Sequence, residues 1–156
     1  MPLELENDEI AAARARRGER NHRAGTCAED AVARRYLAAG YNADAHRVRP
    51  IGYQAERPRA RVDEDDVCRW RGKGGEIDLV FGDGAGGFVF VEVKTARDLD
   101  GALARISPRQ VARIHAAAAE FLADCPAGLD SAARFDAALM DGQGRIEIME
   151  GALLGY

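Results

Sequence analysis

The stretch GEIDLV at residues 75–80, together with FVEVKT at residues 90–95, decides the fold. Both segments are rich in β-branched and aromatic side chains, which predicts strands over residues 76–81 and 88–95. Between them, DGAGG at residues 83–87 supplies small residues that tolerate positive φ angles. The sequence therefore predicts a β-hairpin with ionic side chains at its open end, namely Glu76, Asp78, Glu92 and Lys94.

Strand alternation divides this hairpin into two faces. One face is entirely apolar and comprises Ile77, Leu79, Phe81, Val89, Val91 and Val93. On the other face, the loop sets a register in which Asp78 faces Glu92 and Glu76 faces Lys94. Opposed Cβ atoms lie about 5 Å apart, so the two carboxylates repel each other unless something neutralises them.

Two interpretations of these ionic strand ends are open. In the first, they form an ion-pair ladder in which Glu76 bridges to Lys94. In the second, Asp78 and Glu92 bind Mg²⁺ or Mn²⁺, which take oxygen ligands, and the compact ammonium of Lys94 holds a water or hydroxide. Lys94 stands out because the chain has 22 Lys and Arg residues, of which only Lys73 and Lys94 are Lys. The second arrangement is typical of metal-dependent phosphodiester hydrolysis.

Length and composition favour a single globular domain. The chain has 156 residues, 47% of them apolar and 31% charged, and its formal net charge of −4 argues against indiscriminate nucleic-acid binding. We expect no membrane partner, because no apolar run is long enough to span a bilayer and no secretory signal region is present. The three cysteines have no paired spacing, so we expect a reduced, cytoplasmic protein without a disulfide framework or zinc site.

The chain divides into a basic N-terminal helix or arm at residues 1–24 and one folded domain at residues 25–156. Outside the hairpin, the pattern predicts the following elements in order: a helix over residues 26–39 ended by Gly40, an edge strand to Val48, a long loop at 50–73, a helix over 108–124, and two strands near 135–140 and 145–149.

Glu29 has two competing interpretations. Thr26 followed by Glu29 three residues later is a capping box, which would give Glu29 a purely local role. Glu29 also shares a helix face with apolar side chains at the spacing of a core-facing stripe, which directs its carboxylate inward. That stripe comprises Val32, Ala33, Tyr36 and Leu37.

Several Arg side chains and one Gln are candidates for contacts with nucleic-acid phosphates. The segment SPRQVARI begins a helix with Ser107 as N-cap, and Arg109 and Gln110 lie in its first turn, where backbone N–H groups favour anions. The alternative is that Arg109 is only solvated and Gln110 only completes a capping box. In the N-terminal arm, Arg17 and Arg20 belong to a basic cluster with Arg14, Arg16 and Arg23.

The segments GGEIDLV and FVFVEVKTA, joined by a short Gly-rich turn, resemble the signature of the YraN-like family of bacterial proteins. That family is grouped with the restriction-endonuclease-like nucleases of PD-(D/E)xK type. The resemblance extends from Gly25 to the C-terminus and implies a three-layer α/β domain, with a mixed central β-sheet flanked by helices. Ile77 stands where the superfamily motif has Pro, which changes no ligand, and the stretch 50–73 is longer than the family's usual link.

By this resemblance, Asp78 and Glu92 are metal ligands and Lys94 is the catalytic lysine. The segment GTCAEDAV matches the family's Gly-x-x-x-Glu segment, so the resemblance also makes Glu29 a catalytic and metal-binding carboxylate. ARFDAAL resembles the family's Arg-Phe-Asp segment, and the alternation of Asp136 with apolar neighbours predicts a structural role for it.

The expected function is Mg²⁺- or Mn²⁺-dependent hydrolysis of phosphodiester bonds in nucleic acid, with DNA favoured over RNA. The first alternative is a nucleic-acid-binding module that has the nuclease fold but little or no turnover. The second is a scaffold whose ionic strand ends are only salt-bridged. The presence of Asp78, Glu92 and Lys94 together favours the enzyme, because a pure binder need not keep all three. The sequence does not determine the oligomeric state, and a homodimer is one of the alternatives.

Overall fold

The structure is a computed structural model that describes residues 2–42 and 70–154, with only the main chain described at residues 2–13 and 20–22 of the first helix. The predicted edge strand to Val48 and most of the predicted loop at 50–73 lie outside the described residues. Of that loop, the structure describes residues 70–73, and its last part forms a short strand.

The described residues form a mixed α/β fold. The elements in chain order are α1 (Pro2–Ala38), β1 (Trp70–Arg71), β2 (Glu76–Ile77), β3 (Leu79–Gly82), β4 (Phe88–Thr95), α2 (Leu99–Ala104), α3 (Pro108–Ala123), a 3-10 turn (Gly128–Asp130), β5 (Ala133–Met140) and β6 (Ile146–Met149). Strands β3, β4, β5 and β6 form one sheet in that order, with β4 and β5 parallel and the other pairs antiparallel. Strands β1 and β2 form a separate two-stranded ribbon. The predicted mixed sheet flanked by helices is confirmed.

Helices cover both faces of the sheet. On one face, α1 packs through Val32 and Tyr36 against side chains of β3 and β4, including Val91. On the other face, α3 packs through Phe121 against Phe90 and its neighbours. Helix α2 packs through Ala102 in a cluster with Ala137 and Leu139 of β5. Within the part of the chain that the structure describes, no helix is long and apolar enough to span a bilayer.

The strand predicted over residues 76–81 is divided at Asp78, where the chain bends between β2 and β3. The bend shifts the alternation by one residue, so Ile77 packs with Val80 on the α3 side instead of with Leu79 on the α1 side. Beyond the bend, β2 leaves β4 and pairs with β1, which places Glu76 opposite Arg71. The prediction that Glu76 faces Lys94 is therefore wrong.

The first helix is longer than predicted. It runs unbroken from Pro2 to Ala38, so the predicted arm is helical and the capping box at Thr26 and Glu29 is wrong. The Ala- and Arg-rich sequence upstream has a high helix propensity, which carries the helix through Gly25 and removes the need for a cap there. Gly40 follows the end of the helix with a φ of 92°, as predicted.

The buried stripe of α1 differs from the prediction at one end. Ala28, Val32, Ala33 and Tyr36 are buried, whereas Leu37 is 40% exposed. The stripe therefore follows positions i, i+4, i+5 and i+8 from Ala28, and Glu29 lies at its margin with a half-buried side chain. Glu29 is thus partly directed towards the domain, although less completely than a residue inside the stripe.

Helix α3 begins and ends within one residue of the prediction, and α2 was not predicted. Ser107 and Gln110 form the expected capping box at the start of α3. Helix α2 has only six residues, too few to show a helical period, and its N-cap is Asp98, whose side chain accepts a hydrogen bond from the Gly101 N–H.

Asp136 connects β5, α1 and the C-terminal segment through a buried hydrogen-bond network. Its carboxylate is fully buried and accepts hydrogen bonds from the Tyr36 hydroxyl at 2.7 Å, the Arg134 guanidinium at 2.8 and 2.9 Å, and the Gly151 N–H at 2.9 Å. Burial and the neighbouring Asp136 carboxylate raise the pKa of Tyr36 well above its ordinary value. These contacts agree with the predicted structural role of Asp136.

We expect Asp136→Ala to lower the free energy of unfolding by about 3–5 kcal/mol, because it leaves Arg134 and Tyr36 without their shared partner. Tyr36→Phe removes one hydrogen bond to a charged group and should cost about 1.5–3 kcal/mol. Urea unfolding measures both, with the exposed Asp130→Ala as a control expected within about 0.5 kcal/mol of wild type. An Asp136→Ala variant as stable as the control would contradict the structural role.

Candidate functional site

The site begins at the bend in the hairpin. Continuing the register of β3 and β4 would place Ile77 opposite Val93, but β2 has already turned away towards β1. The Val93 N–H would then lack a main-chain acceptor, which is costly inside a protein. The Asp78 carboxylate supplies the acceptor, with its Oδ2 atom 2.8 Å from the Val93 nitrogen. This hydrogen bond holds the half-buried Asp78 side chain against β4.

Glu92 and Lys94 lie next to Asp78 on β4. They alternate with Val91 and Val93, so they share the face of Phe90, which is the α3 side of the sheet. Glu92 is buried, and the Lys94 ammonium forms a close ion pair with its Oε1 atom. The structure thus brings together the three side chains that the sequence singled out as Asp…Glu-x-Lys.

Burial and like charge make this site electrostatically costly. Burial and, after it, the adjacent Asp78 carboxylate raise the pKa of Glu92 from its ordinary 4.5 to about 7. The Lys94 ammonium lowers the pKa and offsets only part of that rise. A second cation would compensate the remaining charge of the two carboxylates.

The fourth predicted member, Glu29, is not assembled with the others into a metal cluster. Glu29 belongs to α1, which covers the sheet face opposite to Glu92 and Lys94. In residues 2–42 and 70–154, no group of three or more His, Cys, Asp or Glu side chains is arranged to hold a metal ion. Asp78 and Glu92 alone therefore form the described acidic pair.

The donor chemistry of this pair nevertheless fits a divalent cation. The carboxylates of Asp78, at the bend, and Glu92, on β4, are oxygen donors of the kind that Mg²⁺ and Mn²⁺ accept. Mg²⁺ commonly keeps several waters beside one or two carboxylates. Neutralisation by a cation would also offset the burial and the repulsion from Asp78 that together raise the pKa of Glu92. The residues present thus fit a metal bound through two carboxylates and solvent.

The predicted phosphate contacts have separate locations. Arg109 is exposed in the first turn of α3. The Gln110 side chain accepts a hydrogen bond from the Ser107 N–H, so it has at least a capping role. Arg17 is exposed on α1, and the side chain of Arg20 lies outside the described residues.

The surroundings of the β1–β2 ribbon were not predicted from the sequence. Arg71 forms a cross-strand ion pair with Glu76, and the N–H groups of Lys73 and Gly74 both donate to the carboxylate of Glu120 on α3. A sequence signal existed in GKGG at residues 72–75, whose glycines allow a tight turn between two short strands. The hydrogen bonds from that turn to Glu120 could not be predicted from a local sequence pattern, because Gly74 and Glu120 are 46 residues apart in the chain.

Comparison with known proteins gives the family of the chain. A model of the Uncharacterised protein family UPF0102 matches residues 66–140, which include β1 to β5. A UPF0102 protein of Cereibacter sphaeroides (strain ATCC 17025) is 48% identical over 135 residues, covering 86% of this chain and 96% of that protein. The chain belongs to the UPF0102 family. The YraN-like family membership suggested by the two strand segments is thereby confirmed.

Other UPF0102 proteins match over similar lengths. One from Ruegeria pomeroyi is 46% identical over 138 residues, covering 88% of this chain and 94% of its own. One from Roseobacter denitrificans is 40% identical over 141 residues, covering 90% of this chain and 92% of its own. Asp78, Glu92 and Lys94 lie inside the segment that the family model matches, whereas Glu29 lies before it.

The raised pKa of Glu92 gives this UPF0102 protein a testable pH dependence. Between pH 4.5 and about 7, the unfolded chain has released the Glu92 proton while the folded protein keeps it. Stability therefore falls as pH rises through this window, by at most about 3 kcal/mol, and the penalty is complete above pH 7. Urea unfolding in EDTA at pH 5 and pH 8 should show a smaller fall for Glu92→Gln than for wild type.

The exposed carboxylate of Glu147 on β6 provides the matched control. Glu147→Gln should leave the pH dependence of wild type unchanged. If Glu92→Gln and Glu147→Gln both follow the wild-type pH dependence, Glu92 has an ordinary pKa and the charge conflict at the site does not exist.

Proposed function

We propose that this protein is a divalent-metal-dependent nuclease of the restriction-endonuclease-like kind, which hydrolyses phosphodiester bonds in nucleic acid. The observation that carries the proposal is the juxtaposition of Asp78, Glu92 and Lys94 at the bend of the hairpin. A buried carboxylate beside a second carboxylate and an ammonium is costly to maintain, and such arrangements concentrate at functional sites. Resemblance of the strand motifs to PD-(D/E)xK nucleases points to the same chemistry.

Each of the three side chains would have a separate role. Asp78 and Glu92 would hold the metal, assisted by a main-chain carbonyl near Val93. The metal would supply charge stabilisation at the phosphodiester and a more acidic bound water. Lys94 would orient the attacking water, because its ammonium is held at this face by the ion pair with Glu92. The resemblance adds Glu29 to this acidic group, but α1 covers the opposite face of the sheet, so the proposed metal site rests on Asp78 and Glu92.

A nucleic-acid-binding module with little or no turnover is the second candidate. Two observations favour it: the described residues contain no group of three or more metal-ligating side chains, and Lys94 contacts Glu92 directly. In that case, the acidic pair would be compensated by Lys94 alone, and the site would not require a metal. DNA is the favoured nucleic acid for both candidates.

Metal-dependent stabilisation distinguishes these candidates. For the nuclease, Mg²⁺ or Mn²⁺ at ten times its Kd should raise the Tm of wild type by about 3–5 °C relative to EDTA. Asp78→Asn and Glu92→Gln should abolish this increase, because each removes a charged ligand. Lys94→Ala should keep the increase and lose cleavage of labelled duplex, single-stranded, flap and junction substrates.

Glu76→Ala provides the control for these variants. Glu76 is two residues before Asp78 but pairs with Arg71, so its removal should preserve both the metal-dependent Tm increase and cleavage. Wild-type protein whose Tm does not respond to millimolar Mg²⁺ or Mn²⁺, and which cleaves none of the substrates, would contradict the nuclease proposal. Retained nucleic-acid binding under those conditions would support the second candidate.

The exposed Arg residues of α1 are proposed to contact phosphates without taking part in the chemistry. Arg14, Arg16, Arg17 and Arg23 have exposed side chains on the helical segment that precedes the packed residues of α1. Each phosphate contact contributes about 0.9 to the slope of log affinity against log salt on duplex DNA. Deletion of residues 2–23 should therefore weaken duplex binding and reduce this slope, while the metal-dependent Tm increase remains.

A shorter deletion separates charge from helix length. Removing residues 2–13 retains all four described Arg side chains and should leave the salt slope close to that of wild type. Equal slopes for wild type and both deletions would exclude the basic segment from the binding surface.

A further inference from the structure

The turn between β1 and β2, residues 72–75, presents two adjacent backbone N–H groups to one carboxylate. The Lys73 N–H donates to Glu120 Oε1 and the Gly74 N–H donates to Glu120 Oε2, each at 2.8 Å. A hydrogen bond from the Gly72 N–H to the Gly75 carbonyl closes the turn and fixes the direction of these donors. Successive main-chain N–H groups that converge in this way form an anion-binding concavity.

Cationic side chains surround this turn. Arg71 and Lys73 are exposed, and Arg113 lies on the adjacent part of α3, with its Nε atom 3.9 Å from the position that a Cβ on Gly75 would occupy. Arg109 precedes Arg113 by four residues, about 6 Å along the same helix. With the carboxylates of Glu76 and Glu120 counted, the cationic side chains still outnumber the acidic ones, so the local charge is positive although the whole chain carries a formal charge of −4.

The turn is on the same side of the sheet as the candidate site. Ile77, which follows the turn in β2, packs with α3, and Glu92 and Lys94 occupy the α3 face of β4. Gly75 precedes Asp78 by three residues, so their Cα atoms are separated by at most about 11 Å. Measured along the axis of a duplex, this upper limit corresponds to about three base steps.

We propose that the turn at residues 72–75 binds a nucleic-acid backbone phosphate near the reacting phosphodiester, and that Glu120 occupies this anion site in the free protein. The identity of the partner rests on the proposed function. A phosphodiester offers two anionic oxygens to the same N–H pair that the Glu120 carboxylate now engages. Glu120 is half-buried on the surface of α3, so its side chain can rotate into solvent when a phosphate replaces it.

Glu120 then opposes binding in two ways. It competes for the two N–H donors, and after displacement its negative charge remains beside the phosphate. Glu120→Gln preserves the size of the side chain and removes the charge. In EDTA, where the proposed metal-dependent cleavage does not occur, Glu120→Gln should bind a short duplex DNA roughly 5- to 10-fold more tightly than wild type at low salt.

Asp124→Asn is the matched control, because Asp124 is an exposed acid at the C-cap of the same helix and removal of its charge leaves the turn unchanged. It should change the Kd by less than about twofold. A second readout is the amide NMR shifts of Lys73 and Gly74 during the DNA titration, which should move in wild type and move at lower DNA concentration in Glu120→Gln.

Equal affinity gains in Glu120→Gln and Asp124→Asn would show a general charge effect and overturn the proposal. So would a Glu120→Gln variant that binds DNA no more tightly than wild type and unfolds at lower urea concentration, since Glu120 would then only tie the ribbon to α3. A selective gain in Glu120→Gln without any metal response of wild type would support the anion site while contradicting the nuclease proposal. Absence of DNA binding by wild type and both variants would overturn the anion site as a nucleic-acid contact.

Discussion

At Asp78 the hairpin divides, and the amide of Val93 receives a carboxylate acceptor in place of a main-chain carbonyl. The rest of the site depends on this exchange. Because β2 is released from β4, it can pair with β1 and carry the turn at residues 72–75 onto α3. Because this acceptor is the Asp78 carboxylate and not a neutral main-chain carbonyl, it places a second negative charge beside Glu92.

Two buried carboxylates in this protein differ in how completely their charge is compensated. Asp136 accepts hydrogen bonds from Tyr36, Arg134 and Gly151, so its charge is compensated within the fold. Glu92 has the Lys94 ammonium as its compensating partner, but burial and the like charge of the neighbouring Asp78 still raise its pKa. A fully compensated carboxylate stabilises packing, whereas a partly compensated one would be stabilised by an additional cation, as the proposed function requires.

The features that could be predicted from sequence are those with a local signal. The two-residue period of β4 correctly placed Glu92 and Lys94 on one face, and the capping box at Ser107 correctly began α3. The bend at Asp78 was not predicted, because it depends on the pairing of Ile77 with Trp70. Trp70 lies in the stretch 50–73 that the sequence predicted to be a loop without strands. Local signals also conflicted at Thr26, where a capping box was overridden by helix-forming sequence upstream.

The assembly of the site around a metal remains the central claim, and anomalous diffraction from a crystal grown with Mn²⁺ tests it most directly. We expect a single strong peak at about 2.0–2.2 Å from carboxylate oxygens of both Asp78 and Glu92, together with a Lys94 ammonium withdrawn from Glu92. An intact ion pair between Lys94 and Glu92, with no anomalous peak at this position under saturating Mn²⁺, would contradict it.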